Sequence, residues 1–290
     1  MTETSGRAPR PLPDLRNRIA VMAIVNRTQD SFFDQGRTWS LEAAVTAGEQ
    51  AVADGADLID VGGVKFAPGS PVPVAEEIDR VIPVVRELRD LVPQALLSVD
   101  TFHAEVAAAA VAAGADVIND TTGLADREMA STVAATGASL IITHSLAAPR
   151  HPLPSPQYQD VVGEVRDFLR DRLQQAEAAG IPRERIVIDP GPDLNKSTEQ
   201  TLDLLRGWEA ATDLGLPVLA ALSRKDFVGE VLGLEKEQRL EGSLAAAAYV
   251  IAHGARVLRV HDVAETVRLA RMLEVIHGWR EPVGPLVHNV

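Results

Sequence analysis

The sequence predicts an α/β protein that folds as a single (β/α)8 TIM barrel. Eight short runs rich in valine, isoleucine and leucine recur along the 290 residues, and alanine-rich stretches with helical spacing separate them. The phrase Gly-Ala-Asp precedes two of the runs, at Gly55 and Gly114, as a repeated hinge from helix to strand. Continuous apolar runs are typical of parallel strands buried on both faces, and eight such units favour a closed barrel over an open doubly wound sheet.

The predicted elements alternate along the chain. Helices are expected between the apolar runs because several of the intervening stretches begin with Ser, Asp or Thr and end with Gly, as helix caps do. Residues 145–160 are too rich in proline for a helix and are expected to form a long loop after the fifth strand. Residues 1–18 are predicted to be a flexible N-terminal arm, residues 19–280 the barrel and residues 281–290 a C-terminal tail. The expected strands are IAVMAIV from Ile19, DLIDV from Asp57, ALLSV from Ala95, DVIN from Asp116, SLIITH from Ser139, IVID from Ile186, PVLAAL from Pro217 and RVLRV from Arg256.

The composition excludes several classes of protein. Lysine and arginine number 28 against 41 acidic residues, and the net charge of −13 argues against a nucleic-acid partner. The absence of cysteine excludes disulfides, thiolate catalysis and cysteine zinc sites. The N-terminus has no apolar core of the kind a signal peptide needs, and no apolar run is long enough to cross a membrane. A cytoplasmic protein is therefore expected.

Polar residues stand where each predicted strand ends, the position at which barrel enzymes carry their chemistry. Taken alone, an Asp or Asn there often caps the next helix or closes a turn, and this structural interpretation is preferred for Asp60 and Asp120, while His144 is undecided. Seven other residues would converge on one mouth of the barrel, which capping does not require. They are Asn26, Asp100, Asn119, Asp189, Lys225, Arg259 and His261.

This set of side chains suits a flat polar ring that carries an anionic tail. Carboxylates and a carboxamide can pair with adjacent N–H groups of a heterocycle such as an amino-pyrimidinone, and Lys225 would meet a ring carbonyl. Arg259 and His261 follow strand eight, in the region where barrels commonly hold a phosphate. The minimal motifs of dinucleotide-binding, P-loop, zinc-hydrolase and serine-hydrolase proteins are absent from the sequence.

Motifs spread from about Ile19 to about His277 resemble, in order, those of the dihydropteroate synthase family. The resemblance implies a (β/α)8 barrel enzyme of folate biosynthesis, a transferase that joins p-aminobenzoate to hydroxymethyl-dihydropterin pyrophosphate and releases pyrophosphate with Mg²⁺ present. It also implies a homodimer, for which the apolar face of the last helix is a candidate contact. The motifs are NRTQDSFFD, IDVGG, SVDT, IND, IDPG, LSRKDFVG and RVHDV.

Matching positions carry the family's site residues onto this chain. The resemblance implies that Asn26 holds the anion and the metal, and that Asp30 in the first loop helps organise the closed site. Loss of pyrophosphate leaves a delocalised cation that the arylamine attacks, so no side chain needs to be a covalent nucleophile. The pterin is assigned to Asp100, Asn119, Asp189, Lys225 and Arg259, the anion to Asn26, Lys65, Arg259 and His261, and the catalytic roles to Asn26, Asp30, Lys225, Arg259 and His261.

Departures from the family pattern cluster in three loops. Where the family typically has G-G-E-S-T-R-P-G after strand two, this chain has GGVKFAPG, so Ala67 replaces an arginine that normally serves the anion and the second substrate. Lys65 could supply the charge, although not the bidentate geometry of arginine. After strand six, Leu194 replaces an aromatic residue, and Asp193 and Asn195 replace glycines but tolerate left-handed geometry. Arg27 and Gln29 are further changes, in the first loop.

Three functional hypotheses fit this uneven pattern. The first is a working dihydropteroate synthase in which Lys65 and Arg27 compensate for the missing loop residues. The second is a paralogue that keeps the pterin pocket but has weak or no synthase activity. The third, a pterin-binding methyltransferase domain, is the least favoured because such domains need a corrinoid-carrying partner. The first hypothesis is preferred, since the residues expected to hold the pterin and the anion keep their types.

Overall fold

The computed structural model describes residues 7–28 and 38–288, and it confirms the predicted barrel. All eight strands run parallel to their neighbours and close in chain order from β1 to β8. Residues 145–160, after β5, form the long irregular loop that the prolines predict. The strands are β1 (Ala20–Asn26), β2 (Leu58–Gly62), β3 (Leu96–Asp100), β4 (Val117–Asp120), β5 (Ser139–Thr143), β6 (Ile186–Asp189), β7 (Val218–Ala220) and β8 (Ala255–Val260).

The helices surround the barrel, and their ends carry the expected signals. Ser40 caps the first helix by accepting a hydrogen bond from the Ala43 amide at 3.1 Å, and Ser197 forms a capping box with Gln200. Gly114 and Gly137 end their helices with φ of 114° and 73°, a backbone conformation that glycine adopts without strain. The helices are α1 (Leu41–Ala53), α2 (Val74–Leu91), α3 (Ala104–Ala113), α4 (Met129–Thr136), α5 (Val161–Ala178), α6 (Thr198–Arg206), α7 (Glu209–Thr212), α8 (Asp226–Leu232), α9 (Leu240–Ala252) and α10 (Val263–Ile276).

Two helical details differ from the sequence expectation. The stretch between β6 and β7 forms two helices, α6 and α7, because Gly207 interrupts it. A short helix, α8, follows β7 before the longer helix α9; its N-terminal residue Asp226 follows Lys225, and the left-handed Gly233 ends it after seven residues. A short helix of this kind lacks the periodicity by which helices are recognised in a sequence.

Part of the predicted N-terminal arm packs against the bottom of the barrel. Leu15 is only 5% exposed and joins the apolar residues of the barrel interior. Arg10 forms an ion pair with Asp116 at 2.7 Å and donates a hydrogen bond to the Pro93 carbonyl at 2.7 Å. The division of the chain into arm, barrel and tail remains a prediction. Over the described ranges, no helix is both long and apolar enough to cross a membrane.

Strand phase decides which side chains face the inside of the barrel. The interior apolar cluster contains one or more residues from each strand, including Leu58 in β2, Leu96 in β3, Val117 in β4 and Val257 in β8. Because successive side chains of a strand point to opposite faces, residues two or four positions later also point inward. The interior is therefore apolar at the bottom and becomes polar toward the carboxyl ends of the strands.

Candidate active site

The polar upper layer of the barrel contains most of the residues that the sequence singles out. Each lies two or four positions beyond an apolar residue of the interior cluster, so strand alternation turns it inward. The inward-facing residues of this layer are Asp60, Ser98, Asp100, Asn119, Thr143, Asp189 and Arg259. The prediction that these strand ends converge is thus supported by the geometry of the barrel.

Arg259 is the centre of a buried network of charges. Its Nε donates to Asp60 Oδ2 at 2.6 Å, and its Nη2 donates to Asp100 Oδ2 at 2.7 Å. Asn119 Nδ2 also donates to Asp60 Oδ2, at 3.0 Å, and Ser98 Oγ donates to Asp60 Oδ1 at 2.6 Å. One guanidinium therefore lies between two carboxylates from different strands, which fixes its orientation in the mouth.

The structural interpretation of Asp60 as a turn or capping residue is wrong. Its side chain is fully buried inside the barrel, where it accepts hydrogen bonds from Ser98, Asn119 and Arg259. The residue occupies the third position of β2, in phase with the inward-facing Leu58, and not the strand terminus. By contrast, Asp120 closes a turn as expected, accepting from the Thr122 and Leu124 amides at 2.8 Å each.

Asp100 is a buried acid that is paired with Arg259. Burial raises the pKa of Asp100 to about 7, against the opposing effect of the nearby Arg259 guanidinium, while the charges of Asp60 and Glu77 raise it further. The carboxylate keeps 15% of its surface exposed toward the mouth. An ionised Asp100 can thus accept N–H donors from a ligand while it remains paired to Arg259.

On the opposite side of the mouth, the charges of Asp189 and Lys225 each influence the pKa of the other side chain. Burial raises the pKa of the Asp189 carboxyl, and the positive charge of Lys225 opposes this shift. Burial likewise lowers the pKa of the Lys225 ammonium, and Asp193 and Asp189 oppose that shift. Lys225 Nζ donates to the Pro192 carbonyl, so this lysine reaches from the N-terminus of α8 to the loop after β6.

Lys196 and His144 form a buried pair below the loop after β6. Lys196 Nζ lies 2.9 Å from His144 Nδ1 and donates to the carbonyls of Gly191 at 2.9 Å and Leu194 at 3.1 Å. Burial lowers the pKa of His144 to about 3, and the charge of Lys196 acts in the same direction. The imidazole is therefore neutral, and burial also lowers the pKa of Lys196 to about 7. Lys196 Nζ thus links the His144 ring to two carbonyls of the loop.

The two residues that replace family glycines in this loop have the left-handed backbone that the sequence allows. The φ angles are 65° at Asp193 and 52° at Asn195. Both side chains also make contacts that glycine could not. Asp193 Oδ2 accepts from the Asp226 amide at 2.9 Å, and Asn195 Oδ1 accepts from the Ser145 hydroxyl at 2.7 Å and from the Ala147 amide at 3.0 Å. The turn survives and is tied to the loops on either side.

Asn26 lies at the rim, at the end of β1, beside Gly62 of the neighbouring strand. A Cβ atom placed on Gly62 would lie 3.2 Å from Asn26 Oδ1 and 4.0 Å from Asp100 Oδ2, so a larger residue at this position would crowd the Asn26 amide. Over the described part of the chain, no group of three or more His, Cys, Asp or Glu residues could hold a metal. A Mg²⁺ ion that is bound mainly by phosphate oxygens and water needs only one or two protein oxygens, and Asn26 Oδ1 suits that requirement.

The remaining predicted residues are distributed around the rim. His261 follows β8, and its amide donates to Ser223 Oγ at 3.2 Å. Arg27 donates to the carbonyls of Trp39 at 3.2 Å and Arg80 at 2.6 Å, so its guanidinium is directed to α2 and to the segment before α1. Lys65 lies in the loop after β2, where its charge contributes to lowering the pKa of Lys236. Asp30 lies outside the described residues.

Glu77 is an unexpected buried acid behind the loop after β2. It is 0% exposed, and neither carboxyl oxygen has a hydrogen-bond partner within the described residues. Burial raises the pKa of Glu77 to about 7, partly opposed by the positive charge of Arg80. Its Cγ would lie 3.3 Å from a Cβ on Gly63, so the second glycine of the pair lets the loop pass directly over this side chain.

Replacing Glu77 with glutamine is expected to change how stability depends on pH. Between the ordinary glutamate pKa and about 7, the unfolded chain releases this proton while the folded chain keeps it, so the wild-type free energy of unfolding falls as pH rises through this window. Glu77→Gln removes that loss and should gain roughly 3 kcal/mol relative to wild type across it. Urea unfolding at about pH 5 and about pH 8 measures the difference; parallel pH profiles for the two proteins would show that Glu77 titrates normally.

Sequence inspection missed Asp60, Glu77 and the His144–Lys196 pair for different reasons. The sequence did carry a signal for Asp60, because this charged residue lies in the middle of a continuously buried strand. The side chains of a strand alternate between its two faces, so the neighbouring residues indicate which face Asp60 lies on. Glu77 lies in an acidic first turn of α2, a position typical of exposed helix starts. His144 and Lys196 lie 52 residues apart in the sequence. Only the fold brings such residues together.

Comparison with known proteins agrees with this site. Residues 22–261 match the pterin binding enzyme family. A protein of Mycobacterium tuberculosis (strain H37Rv) named inactive dihydropteroate synthase 2 is 47% identical over 275 residues, covering 93% of this chain and 86% of that protein. Dihydropteroate synthase of Streptococcus pyogenes serotype M6 is 40% identical over 253 residues, covering 86% of this chain and 92% of that protein. The structure of Xanthomonas albilineans dihydropteroate synthase with 4-aminobenzoic acid is 44% identical, with a TM-score of 0.83 and coverage of 93% and 95%.

The barrel and its polar mouth thus define a pterin-binding enzyme of the (β/α)8 class. The chain belongs to the dihydropteroate synthase family, the pterin-binding transferases of folate biosynthesis. The resemblance drawn from the motifs is confirmed. The relatives include proteins named as synthases and proteins named as inactive, so family membership alone leaves the level of activity open.

Proposed function

We propose that this protein binds hydroxymethyl-dihydropterin pyrophosphate as a dihydropteroate synthase does, but turns it over slowly with p-aminobenzoate. The observation that carries this proposal is the contrast between the two halves of the site. Two of the buried residues assigned to the pterin, Asp100 and Asn119, are joined to Arg259 directly or through Asp60. The loops assigned to the second substrate lack the family's arginine and aromatic residue, at Ala67 and Leu194.

In this proposal the pterin ring lies between the two charged sides of the mouth. Its amino-pyrimidinone edge exchanges hydrogen bonds with the side chains of Asp100, Asn119 and Asp189. Lys225 contacts its carbonyl oxygen. Arg259 is held by Asp60 and Asp100. Its guanidinium is therefore ordered before the ligand arrives, which lowers the entropic cost of binding.

The pyrophosphate tail would lie toward the rim, near Asn26 and His261. We propose that Asn26 provides the protein oxygen for Mg²⁺, which supplies charge neutralisation for the departing pyrophosphate. Arg259 and His261 would orient the tail, and the assignment of Lys65 to the anion also remains a proposal. Asp30 stays assigned to the closed site only through the family motif.

The half of the site that is assigned to p-aminobenzoate explains why slow turnover is proposed. The missing guanidinium at position 67 removes a bidentate donor, and the residue there is an alanine that can neither bind an anion nor contact a carboxylate. Arg27 does not replace it, because its guanidinium is used by the carbonyls of Trp39 and Arg80. The relative from M. tuberculosis that is named inactive supports the same conclusion.

Pyrophosphate release tests the proposal. Purified protein is supplied with hydroxymethyl-dihydropterin pyrophosphate and Mg²⁺, with and without p-aminobenzoate, beside an active synthase from S. pyogenes. We expect release that depends on p-aminobenzoate to be at least roughly 100-fold slower than in the active enzyme, the loss that one or two charge-assisted contacts account for. A rate equal to that of the active enzyme would contradict the proposal and favour compensation by Lys65.

Two further assignments complete the proposal. A second copy of this chain is the proposed partner, with exposed apolar residues on α9 and α10 as the contact surface; Tyr249 is 42% exposed, Met272 60% and Ile276 64%. The cytoplasm, where folate biosynthesis finds its small-molecule substrates, is the proposed location.

A further inference from the structure

The loop after β2 is bonded to the loop after β5 by both main chain and side chain. The Gly69 amide donates to the Arg150 carbonyl at 3.2 Å, and the Arg150 amide donates to the Phe66 carbonyl at 3.2 Å. The Arg150 guanidinium then donates to the carbonyls of Lys65 at 2.9 Å, Ala67 at 2.6 Å and Ser70 at 3.1 Å. One arginine thus satisfies three carbonyls of a loop that has no regular structure of its own.

These contacts require residues 63–72, which we call the strap, to lie across the mouth. Strands β2 and β5 are separated in the barrel by β3 and β4 on one side and by four strands on the other. A second contact points the same way, because the charge of Lys65 reaches Lys236, which lies in the connection between β7 and β8. A loop that leaves β2 and approaches both of these regions passes over the carboxyl ends of the strands.

We propose that Arg150 holds the strap closed over the barrel mouth and thereby controls access to the pterin site. The strap is held through main-chain carbonyls, those of Lys65 and Ala67, by a side chain that belongs to another loop. Arg150 acts as a positioning residue, because its contacts are with the strap and not with reacting atoms.

Local geometry indicates that the strap and Arg150 fit one another closely. A Cβ atom on Gly69 would overlap the Arg150 guanidinium, so this position accommodates only glycine while the contact exists. Arg150 itself has φ of 64°, an uncommon conformation for a non-glycine residue that its surroundings must maintain. Asn195 fixes the beginning of the same loop through the Ser145 hydroxyl and the Ala147 amide. The residue that holds the strap is therefore itself anchored to the loop after β6.

Hydrogen exchange of the strap amides tests the contact directly, on the full-length protein without any ligand. In Arg150→Ala the strap loses three side-chain hydrogen bonds, and exchange at the Gly69 amide is expected to accelerate at least roughly 10-fold. Arg150→Lys should be intermediate, because an ammonium cannot reproduce the planar fork. Arg170→Ala removes a 51% exposed arginine of α5 as a matched control and should leave the strap unchanged. Unaltered exchange in folded Arg150→Ala would overturn the proposal.

Association kinetics test whether the strap controls access, and this part rests on the proposed pterin binding. Stopped-flow mixing with hydroxymethyl-dihydropterin pyrophosphate and Mg²⁺ should give an association rate constant roughly 10-fold higher in Arg150→Ala than in wild type, and an unchanged constant in Arg170→Ala. Faster exchange together with an unchanged association rate constant would overturn the control of access. Absence of pterin binding in all variants would instead contradict the proposed function, and the exchange result would still decide whether Arg150 holds the strap.

Discussion

Replacing Arg259 with methionine is expected to weaken pterin binding by roughly 100-fold and to lower the free energy of unfolding by roughly 3–5 kcal/mol. The substitution leaves Asp60 and Asp100 buried without their shared cation, and an uncompensated buried carboxylate is costly. It also removes the positive group that we propose orients the anionic tail.

Arg271→Met is the matched control for this substitution. Arg271 bonds to Asp57 at 3.2 Å and to Glu274 at 2.8 Å, on the side of the barrel away from the mouth. The control should also lose stability in urea unfolding but keep the wild-type pterin affinity in calorimetry. An Arg259→Met protein that binds the pterin as tightly as Arg271→Met would show that the charge network serves folding alone.

Restoring the family's arginine in the strap is expected to increase synthase turnover. Ala67→Arg adds a guanidinium on a segment whose backbone Arg150 already fixes through the Ala67 carbonyl. One added charge-assisted contact to an anion should raise kcat/KM with p-aminobenzoate by roughly 10-fold or more. Pterin affinity should change little, because the residues that bind the ring lie deeper in the barrel.

Ala67→Lys separates geometry from charge in the same experiment. An ammonium supplies the positive charge but only a single point of contact, so its gain should be smaller than that of arginine. Equal turnover in wild type, Ala67→Lys and Ala67→Arg, with pterin binding intact, would mean that the missing arginine is not what limits the reaction. The substitution at Leu194 would then be the next cause to test.

The strands and the convergence of their polar ends were predictable because each depends on local pattern. Buried parallel strands produce continuous apolar runs, and the barrel topology brings all their carboxyl ends to one mouth. Asp189 and Arg259 were identified in this way. Asp60 was not, because an aspartate near a strand end is also typical of a residue that caps a helix or closes a turn.

The arrangement of the loops could not be predicted from the sequence. Arg150 recognises carbonyl groups of the strap, and a main-chain carbonyl carries no sequence signal that identifies its partner. The same is true of Lys196, whose acceptors include the carbonyls of Gly191 and Leu194. The left-handed turn at Asp193 and Asn195 was predictable, because side-chain type limits the backbone, but the contacts of those side chains were not.

These observations revise the order of the functional hypotheses. The charge network around Arg259 supports pterin binding in both of the first two hypotheses. Compensation by Arg27 loses its support, since that guanidinium bonds to Trp39 and Arg80 carbonyls. A protein that binds the pterin but reacts slowly with p-aminobenzoate accounts for both halves of the site.

Calorimetric titration with hydroxymethyl-dihydropterin pyrophosphate and Mg²⁺, in the absence of p-aminobenzoate, tests the central claim most directly. Wild-type protein should bind one ligand per chain, and Asp189→Asn should bind it at least roughly 10-fold more weakly, because the carboxylate's paired acceptors are lost. A wild-type protein that gives no binding heat at several temperatures would contradict the account, since the pterin half of the site would then be no more functional than the other half.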